Sequence, residues 1–260
     1  MIYATDLDRT IIFSNKFLDK CNEDVICVEE FNDKPISYMT SKALRKLENL
    51  KKKSNLKVIP VTTRSVAQFK RVNPMQNCEF AITSNGGTIL HNGMVFNLWK
   101  DRISSILEEY QKDFKEIEAY LGLFRGYFEK DPKIVDNVFF FMKLKEDEVR
   151  NNELLGILDR NLDKSKWAFT LQGLKLYIIP REISKENALM FLKEYLKENK
   201  LVVSGDGKLD YGFLSIGDIR IIPQGSEVLD YITDKNFVYK SVPNGLLGTI
   251  DLFNIVNQNL

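Results

Sequence analysis

Short runs of apolar and β-branched residues alternate with helical patterns along this chain, and that alternation constrains its fold more than any other feature. The runs lie at 2–5, 56–61, 80–83, 201–204, 219–222 and 237–240. Between them Thr40 caps a helical stretch reaching about Lys52, Ser65 opens another, and Ser184 opens a third with Ala188, Phe191, Leu192 and Tyr195 along one face. A strand without polar alternation is buried on both faces. The pattern therefore predicts an α/β fold, a Rossmann-like parallel sheet with helices on each side. In such sheets ligands bind beyond the carboxyl ends of the strands. Asp6 lies just past the first run, Thr62 just past the second and Asp206 just past 201–204, so three polar side chains converge on one edge.

From about residue 89 to 175 the pattern changes. A helical stretch at 103–120 precedes an apolar strand at 138–142, a helix near 147–162 and an alternating hairpin. In that hairpin Trp167, Phe169 and Leu171 face Leu174, Leu176 and Ile178 across Gln172 and Gly173. Hairpin-linked strands indicate an α+β insertion, so the expected organisation is a core of 1–88 and 176–260 with an inserted domain at 89–175.

Composition removes several function classes. Lys and Arg total 37 against 36 Asp and Glu, which leaves no basic field to recruit nucleic acid or anionic lipid. His91 is the single histidine, which rules out multi-histidine zinc sites and nearly excludes a Ser-His-Asp triad, so acid-base work is expected to fall to carboxylates or lysine. Beside Asn92 and Gly93, His91 is expected in a turn. Cys21, Cys27 and Cys78 form no CxxC pair, and an odd number gives no complete disulfide framework, which points to a reducing, cytoplasmic setting. No apolar stretch approaches the roughly 18 residues of a membrane span, and an acidic residue at position 6, with no charged and then apolar leader pattern, gives no expectation of export. The expectation is a protein without membrane or nucleic-acid partners, monomeric or weakly self-associating.

The stretch DLDRT (6–10) follows the first strand directly. Side chains alternate along a strand, so Asp6 and Asp8 point the same way if the extended geometry persists through Leu7, and two carboxylates so placed repel unless something positive lies between them. Lys185, just after Ser184, stands in the first turn of a helix, where the dipole disfavours a cation unless an anion faces it. Between Thr10 and Thr40 lie about 29 residues, far beyond the usual connection of about 4–6, and ICVEEFNDKPISYM within them reads as a hairpin around Asn32 and Asp33. Because the excursion leaves the first strand directly, it begins beside the site and is a candidate flap.

Four islands in order, DLDRT at 6–10, VTTRS at 61–65, Lys185 at a helix start and SGDGKLD at 204–210, resemble the haloacid dehalogenase (HAD) superfamily of phosphatases across the whole chain. The likeness is greatest to the Cof-like and sucrose-phosphatase-like branches, in which a large α/β cap separates the second and third motifs. Here 122 residues separate Thr62 from Lys185, and SNGGTIL at 84–90 resembles the segment leading into such a C2-type cap. The resemblance implies a Mg²⁺-dependent phosphomonoester hydrolase acting on a small phosphorylated metabolite, which by family branch is expected to be a sugar phosphate. By that resemblance Asp6 is the nucleophile, Asp8 the general acid and then base, Thr62 a donor to the phosphoryl group and Lys185 its counter-charge. Magnesium is then held by Asp6, the Asp8 carbonyl and Asp206, with Asp210 beside them; Arg9, Thr63, Arg64, Asn85 and Gly86 are the candidate substrate contacts. The same core also serves phosphomutases of the phosphomannomutase kind, and a non-catalytic phospholigand-binding protein is the alternative from another class. Two departures stand out: Arg9 replaces a usual glycine, and Leu209 replaces the asparagine of a GDxxND pattern. Asp218, in the later IGD, reads as a strand-entry residue.

Overall fold

The computed structural model describes residues 1–260, the side chain of Lys20 apart, and the chain divides into two units: Met1–Phe96 with Lys185–Leu260, and Asn97–Ser184. In chain order the first unit begins with β1 (Ile2–Thr5), β2 (Val25–Phe31), β3 (Lys34–Thr40), α1 (Ser41–Lys51), β4 (Lys57–Pro60), α2 (Val66–Phe69), β5 (Phe80–Thr83), β6 (Thr88–His91) and β7 (Met94–Val95). The second unit holds α3 (Asn97–Gly122), β8 (Lys133–Val135), β9 (Phe139–Lys143), α4 (Glu148–Asn161), β10 (Trp167–Gln172) and β11 (Lys175–Pro180). The chain re-enters the first unit with α5 (Lys185–Tyr195), β12 (Leu201–Ser204), α6 (Tyr211–Ser215), β13 (Ile219–Pro223), β14 (Lys240–Val242) and α7 (Gly248–Gln258).

The five-stranded central sheet is wholly parallel in the order β14-β13-β12-β1-β4. Tyr3, Val58, Val202 and Ile221 point to one face and pack with Ala43, Leu47 and Leu50 of α1 and Leu252, Phe253 and Val256 of α7. The alternate residues Ile2, Ala4, Ile59, Val203 and Ile222 are equally buried on the other face, which is why these strands read as unbroken apolar runs. Thr5 pairs in register with both Ser204 and Pro60, so β1, β12 and β4 end level. The residues that follow them are Asp6, Asp206 after Gly205, and Thr62 after Val61. At the opposite end of β12, Asp218 exchanges two hydrogen bonds with the Leu201 main chain, its N–H donating to the carbonyl (2.9 Å) and its Oδ2 accepting from the amide (2.7 Å), and so pins the strand entry away from the site.

Three elements differ from the sequence reading. β5 joins the parallel sheet only through an isolated bridge between Val61 and Ile82, and its regular ladder is the antiparallel pairing with β6. His91 is the last residue of β6, not a turn residue; Asn92 and Gly93, both with positive φ, make the turn, and the imidazole stacks on Phe80 with ring centroids 4.5 Å apart. The edge strand expected at 237–240 forms at Lys240–Val242, since the Phe237 ring is engaged elsewhere, stacked on Tyr211 with Arg220 over it.

The hairpin of β2 and β3 turns at Asn32 (φ 50°) and Asp33 (φ 58°), the pair of positive φ values that a two-residue hairpin turn requires. It is tied to the chain leaving β1 by two hydrogen bonds between Phe13 and Tyr38.

Taken by itself, the second unit is a four-stranded antiparallel sheet in the order β10-β11-β9-β8. Phe140, Met142, Trp167, Leu176 and Ile178 cluster with Tyr110, Ile117 and Leu121 of α3 and Leu154 and Leu158 of α4. The unit runs from 97 to 184, not 89 to 175. Residues 88–91 pair with β5 and stay with the core, whereas β11 pairs with both β10 and β9 and belongs to the insertion. Among the described residues no helix is long and apolar enough to cross a membrane, and all three cysteines are free.

Candidate active site

Asp6 is the first residue past the central strand, and its amide donates to the Ser204 carbonyl at 2.8 Å, extending the β1–β12 pairing one residue further. That bond fixes where its side chain leaves the sheet. Lys185, the first residue of α5, is 2% exposed, and its Nζ lies 2.7 Å from Asp6 Oδ1 and 2.6 Å from Asp210 Oδ1. The anions that the helix dipole demanded are these two. Ammonium hydrogen bonds to carboxylates are among the stronger kinds, and here they are closed off from solvent.

Asp206 and Asp210 come from the loop after β12. Asp210 Oδ2 accepts from the amides of Asp206 (3.0 Å) and Gly207 (2.7 Å), which folds the loop back on itself. Gly205 makes that fold possible, since a Cβ there would stand 2.7 Å from the Asp210 Cβ. Oxygens of Asp6, Asp206 and Asp210 all lie within 4.8 Å of one another, and all three residues are buried. The Thr10 hydroxyl faces Asp6 and Asp206 at 3.5 and 3.4 Å. Arg9 adopts φ 62°, the left-handed backbone that glycine takes freely and that costs other residues about 1–2 kcal/mol. Its guanidinium is tied to Asp206 Oδ2 at 2.7 Å and to Glu227 at 3.1 Å. The cation in place of glycine therefore braces a site carboxylate.

On the other side of Asp6, the Asp8 side chain is 53% exposed, and Arg64 grips it with two parallel bonds, Nε to Oδ2 at 2.7 Å and Nη2 to Oδ1 at 2.8 Å. Arg64 also pairs with the fully buried Glu29 of β2 at 2.8 Å. Thr62 is buried, and its hydroxyl oxygen accepts the Arg64 amide at 3.2 Å, which leaves the hydroxyl hydrogen to donate. Thr63 is half-buried between them. The turn after β5 is pinned to this loop, with the Ser84 amide donating to the Arg64 carbonyl and the Asn85 amide to the Thr62 carbonyl. Ser84, Asn85 and Gly86 all have positive φ (53°, 55° and 97°), which glycine takes freely but which strains the two residues before it, as is found at functional sites. The structure thus brings Asp6, Asp8, Thr62, Lys185, Asp206 and Asp210 to one sheet edge, while Arg9 and Arg64 are engaged with aspartates. Glu29, Glu227 and Thr10 were not singled out in the sequence; only the motif position of Thr10 gave any sign of it.

Burial raises the pKa of Asp6, Asp210 adds to the rise and Lys185 opposes it, which pushes the carboxyl up to about 7. Asp206 also rises well above the ordinary value, through burial and then the charges of Asp6 and Asp210, against Arg9 and Lys185. Burial works against the charge of Lys185, but Asp210 and Asp6 outweigh it and hold its proton more firmly than usual. A carboxyl raised in the fold binds protons that the unfolded chain has already released. The stability Asp6 and Asp206 contribute is therefore present below the ordinary carboxylate value of about 4 and is lost as pH climbs toward 7. In the presence of a chelator, Asp206→Asn should gain stability relative to wild type as pH rises from about 5 to about 7.5, read from urea midpoints. A difference that does not move with pH would contradict the raised values.

No protein-family model matches the sequence, and no curated protein is significantly similar to it. Solved structures are similar. The sucrose-phosphatase of Synechocystis sp. PCC6803, in complex with sucrose and phosphate, is 16% identical; the match covers 100% of this chain and 98% of that one, with a TM-score of 0.67. A sugar phosphatase of HAD subclass IIB is 13% identical over 99% of this chain and 98% of its own, with a TM-score of 0.61. A haloacid dehalogenase-like hydrolase from Bacillus subtilis is 13% identical over 98% of this chain and 91% of its own, with a TM-score of 0.55. The likeness is one of fold, and it spans the chain from end to end.

Proposed function

We propose that this chain is a Mg²⁺-dependent phosphomonoester hydrolase acting through an aspartyl-phosphate at Asp6 on a small phosphorylated metabolite, a sugar phosphate. One observation carries the reading: a buried carboxylate at the end of the central strand, 2.7 Å from a buried lysine, with two further buried aspartates beside it. Its fold is shared with proteins named as sucrose-phosphatase and sugar phosphatase. The all-oxygen donor set suits a hard divalent cation, and Asp6, the Asp8 carbonyl and Asp206 are the residues that would hold Mg²⁺. When bound, that ion neutralises phosphoryl charge.

In this reading Asp6 attacks phosphorus as the bond to the leaving oxygen breaks, and Asp8 gives that oxygen its proton. Water then attacks the phosphoryl group, its proton passes to Asp8, and the Asp6 carboxylate is regenerated. The Thr62 hydroxyl donates to a phosphoryl oxygen, and Lys185 holds Asp6 in line while offsetting the phosphate charge. The insertion at 97–184 is read as the part of the chain that selects the substrate.

The test is phosphate release from a panel of sugar phosphates and p-nitrophenyl phosphate, with and without Mg²⁺. Release that depends on Mg²⁺ is expected; none from any compound rejects the reading, and transfer to a second sugar in place of water makes the chain a mutase.

Asp210 has both oxygens engaged by Lys185 and two amides, whereas Asp206 Oδ1 has only the long 3.4 Å contact from Thr10, so Asp206 is read as the direct ligand and Asp210 as acting from outside the metal shell. Asp210→Ala is expected to raise the Mg²⁺ concentration for half-maximal rate by roughly 10–100-fold, and Asp206→Ala by more. Equal shifts in a metal titration would sink that division.

A further inference from the structure

The long excursion between β1 and α1 ends in a contact that the proposed reaction leaves unexplained. β2 is irregular on both sides of Glu29: the register slips between Cys27 and Glu29 and again between Glu29 and Glu30. In a regular strand neighbours point to opposite faces, yet here Val28 and Glu29 are both buried, so the bulge turns an acidic side chain inward beside an apolar one. Once inside, Glu29 is held from three directions. Arg64 Nη1 lies 2.8 Å from its Oε1, Arg71 Nη2 lies 3.2 Å from the same atom, and the Ser37 hydroxyl donates to Oε2 at 2.7 Å. The opposite end of Arg64 forks onto Asp8.

We propose that Glu29 and Arg64 are positioning residues for Asp8, the hairpin supplying a buried anchor that fixes the Arg64 fork, and the fork fixing the Asp8 carboxyl at the mouth of the site. Burying a carboxylate is expensive, and an apolar side chain of similar size stabilises a core at least as well. An exposed ion pair, for its part, adds little stability. A relay with its anchored end buried and its free end exposed on Asp8 is thus poorly explained as a fold-stabilising device and well explained as one that aims the exposed end. The bidentate grip fixes both the position and the plane of the Asp8 carboxyl, which a single point charge cannot do. Each carboxylate oxygen has two acceptor sites, so the fork leaves room for the proton Asp8 must carry. The role extends across the chain: a hairpin residue, a residue after β4 and one after β1 meet in a line.

The inference rests on the reading of Asp8 as the proton donor, and its experiment separates the two. The burst of leaving-group release is measured with Mg²⁺ for a sugar phosphate, whose alkoxide must be protonated, and for p-nitrophenyl phosphate, whose phenolate need not be. Arg64→Lys keeps the charge and loses the fork; Glu29→Gln loosens the anchor from the far side. Each is first shown folded by its circular dichroism and melting curve. Both variants are expected to slow the sugar burst by roughly 10–100-fold and the p-nitrophenyl burst by less than about 3-fold, within the roughly 10²–10⁴ that a general acid supplies. Guanidinium ion added to Arg64→Ala should restore part of the sugar burst alone. Placed on Asp8→Asn, Arg64→Lys should cost nothing further, as expected for residues acting as one unit. Equal slowing of both bursts, or an undiminished effect on the Asp8→Asn background, overturns the positioning role and leaves the phosphatase reading intact. A wild-type protein that releases neither leaving group overturns both.

Discussion

Asp6→Asn protein is expected to fold as wild type does and to lose turnover by on the order of 10⁴-fold or more, the scale at which removal of a covalent nucleophile is felt. The carboxamide has nearly the same shape as the carboxylate and keeps an oxygen that can accept from Lys185, but it is far too weak a nucleophile to displace a sugar oxygen from phosphorus. Stability should hold or rise, because one of three mutually repelling buried carboxylates loses its charge. That combination, an intact or higher melting point with almost no rate, separates a missing nucleophile from a damaged fold. The measurements are a thermal melt, the steady rate with p-nitrophenyl phosphate and Mg²⁺, and an acid-quench search for the phosphorylated protein, found in wild type and missing in the variant. The intact mass must first exclude deamidation back to aspartate. A rate within tenfold of wild type would reject the covalent role of Asp6.

The end of the central strand was legible in the sequence for a physical reason. A strand buried on both faces reads as an apolar run, so the polar residue that follows it marks the carboxyl edge where a parallel sheet binds its ligands. Asp6, Thr62 and Asp206 were found in that way, whereas Lys185 took its role from the resemblance, the mismatch between a cation and a helix start only agreeing with it. The edge of the core was harder. In the 237–240 run Phe237 stacks on Tyr211 and only Lys240 pairs, and nothing local distinguishes the two uses of an aromatic ring. Arg9 showed the limit of local propensity: a left-handed arginine is disfavoured by itself, and the two carboxylates that hold it, Asp206 and Glu227, lie about 200 positions away along the chain. Glu29 was the least visible. Its signal is a bulge, which leaves no trace in composition, and its partner Arg64 belongs to another segment.

Lys185→Met is expected to cost roughly 3–5 kcal/mol, the scale for breaking a buried ion pair from one side, because it strands Asp6 and Asp210 without their shared cation. For a chain of this size that is a fall in melting temperature of roughly 6–20 °C in chelator. Methionine fills most of the space of the lysine stem, so a loss on that scale reports charge and not a cavity. The arrangement of charges then dictates what Mg²⁺ should do. In wild type an added divalent cation meets carboxylates already partly neutralised by Lys185, whereas in the variant it meets them bare. The gain in melting temperature from Mg²⁺ should therefore be larger in Lys185→Met than in wild type, and part of the lost stability should return. Turnover should not return with it, since a cation among the aspartates cannot also hold Asp6 in line and face the phosphoryl group as the Lys185 ammonium does. Stability and activity are thus expected to separate under Mg²⁺ in this variant. A destabilisation below about 1 kcal/mol would show that the lysine is not the counter-charge of the cluster; recovery of rate together with stability would make its part structural alone.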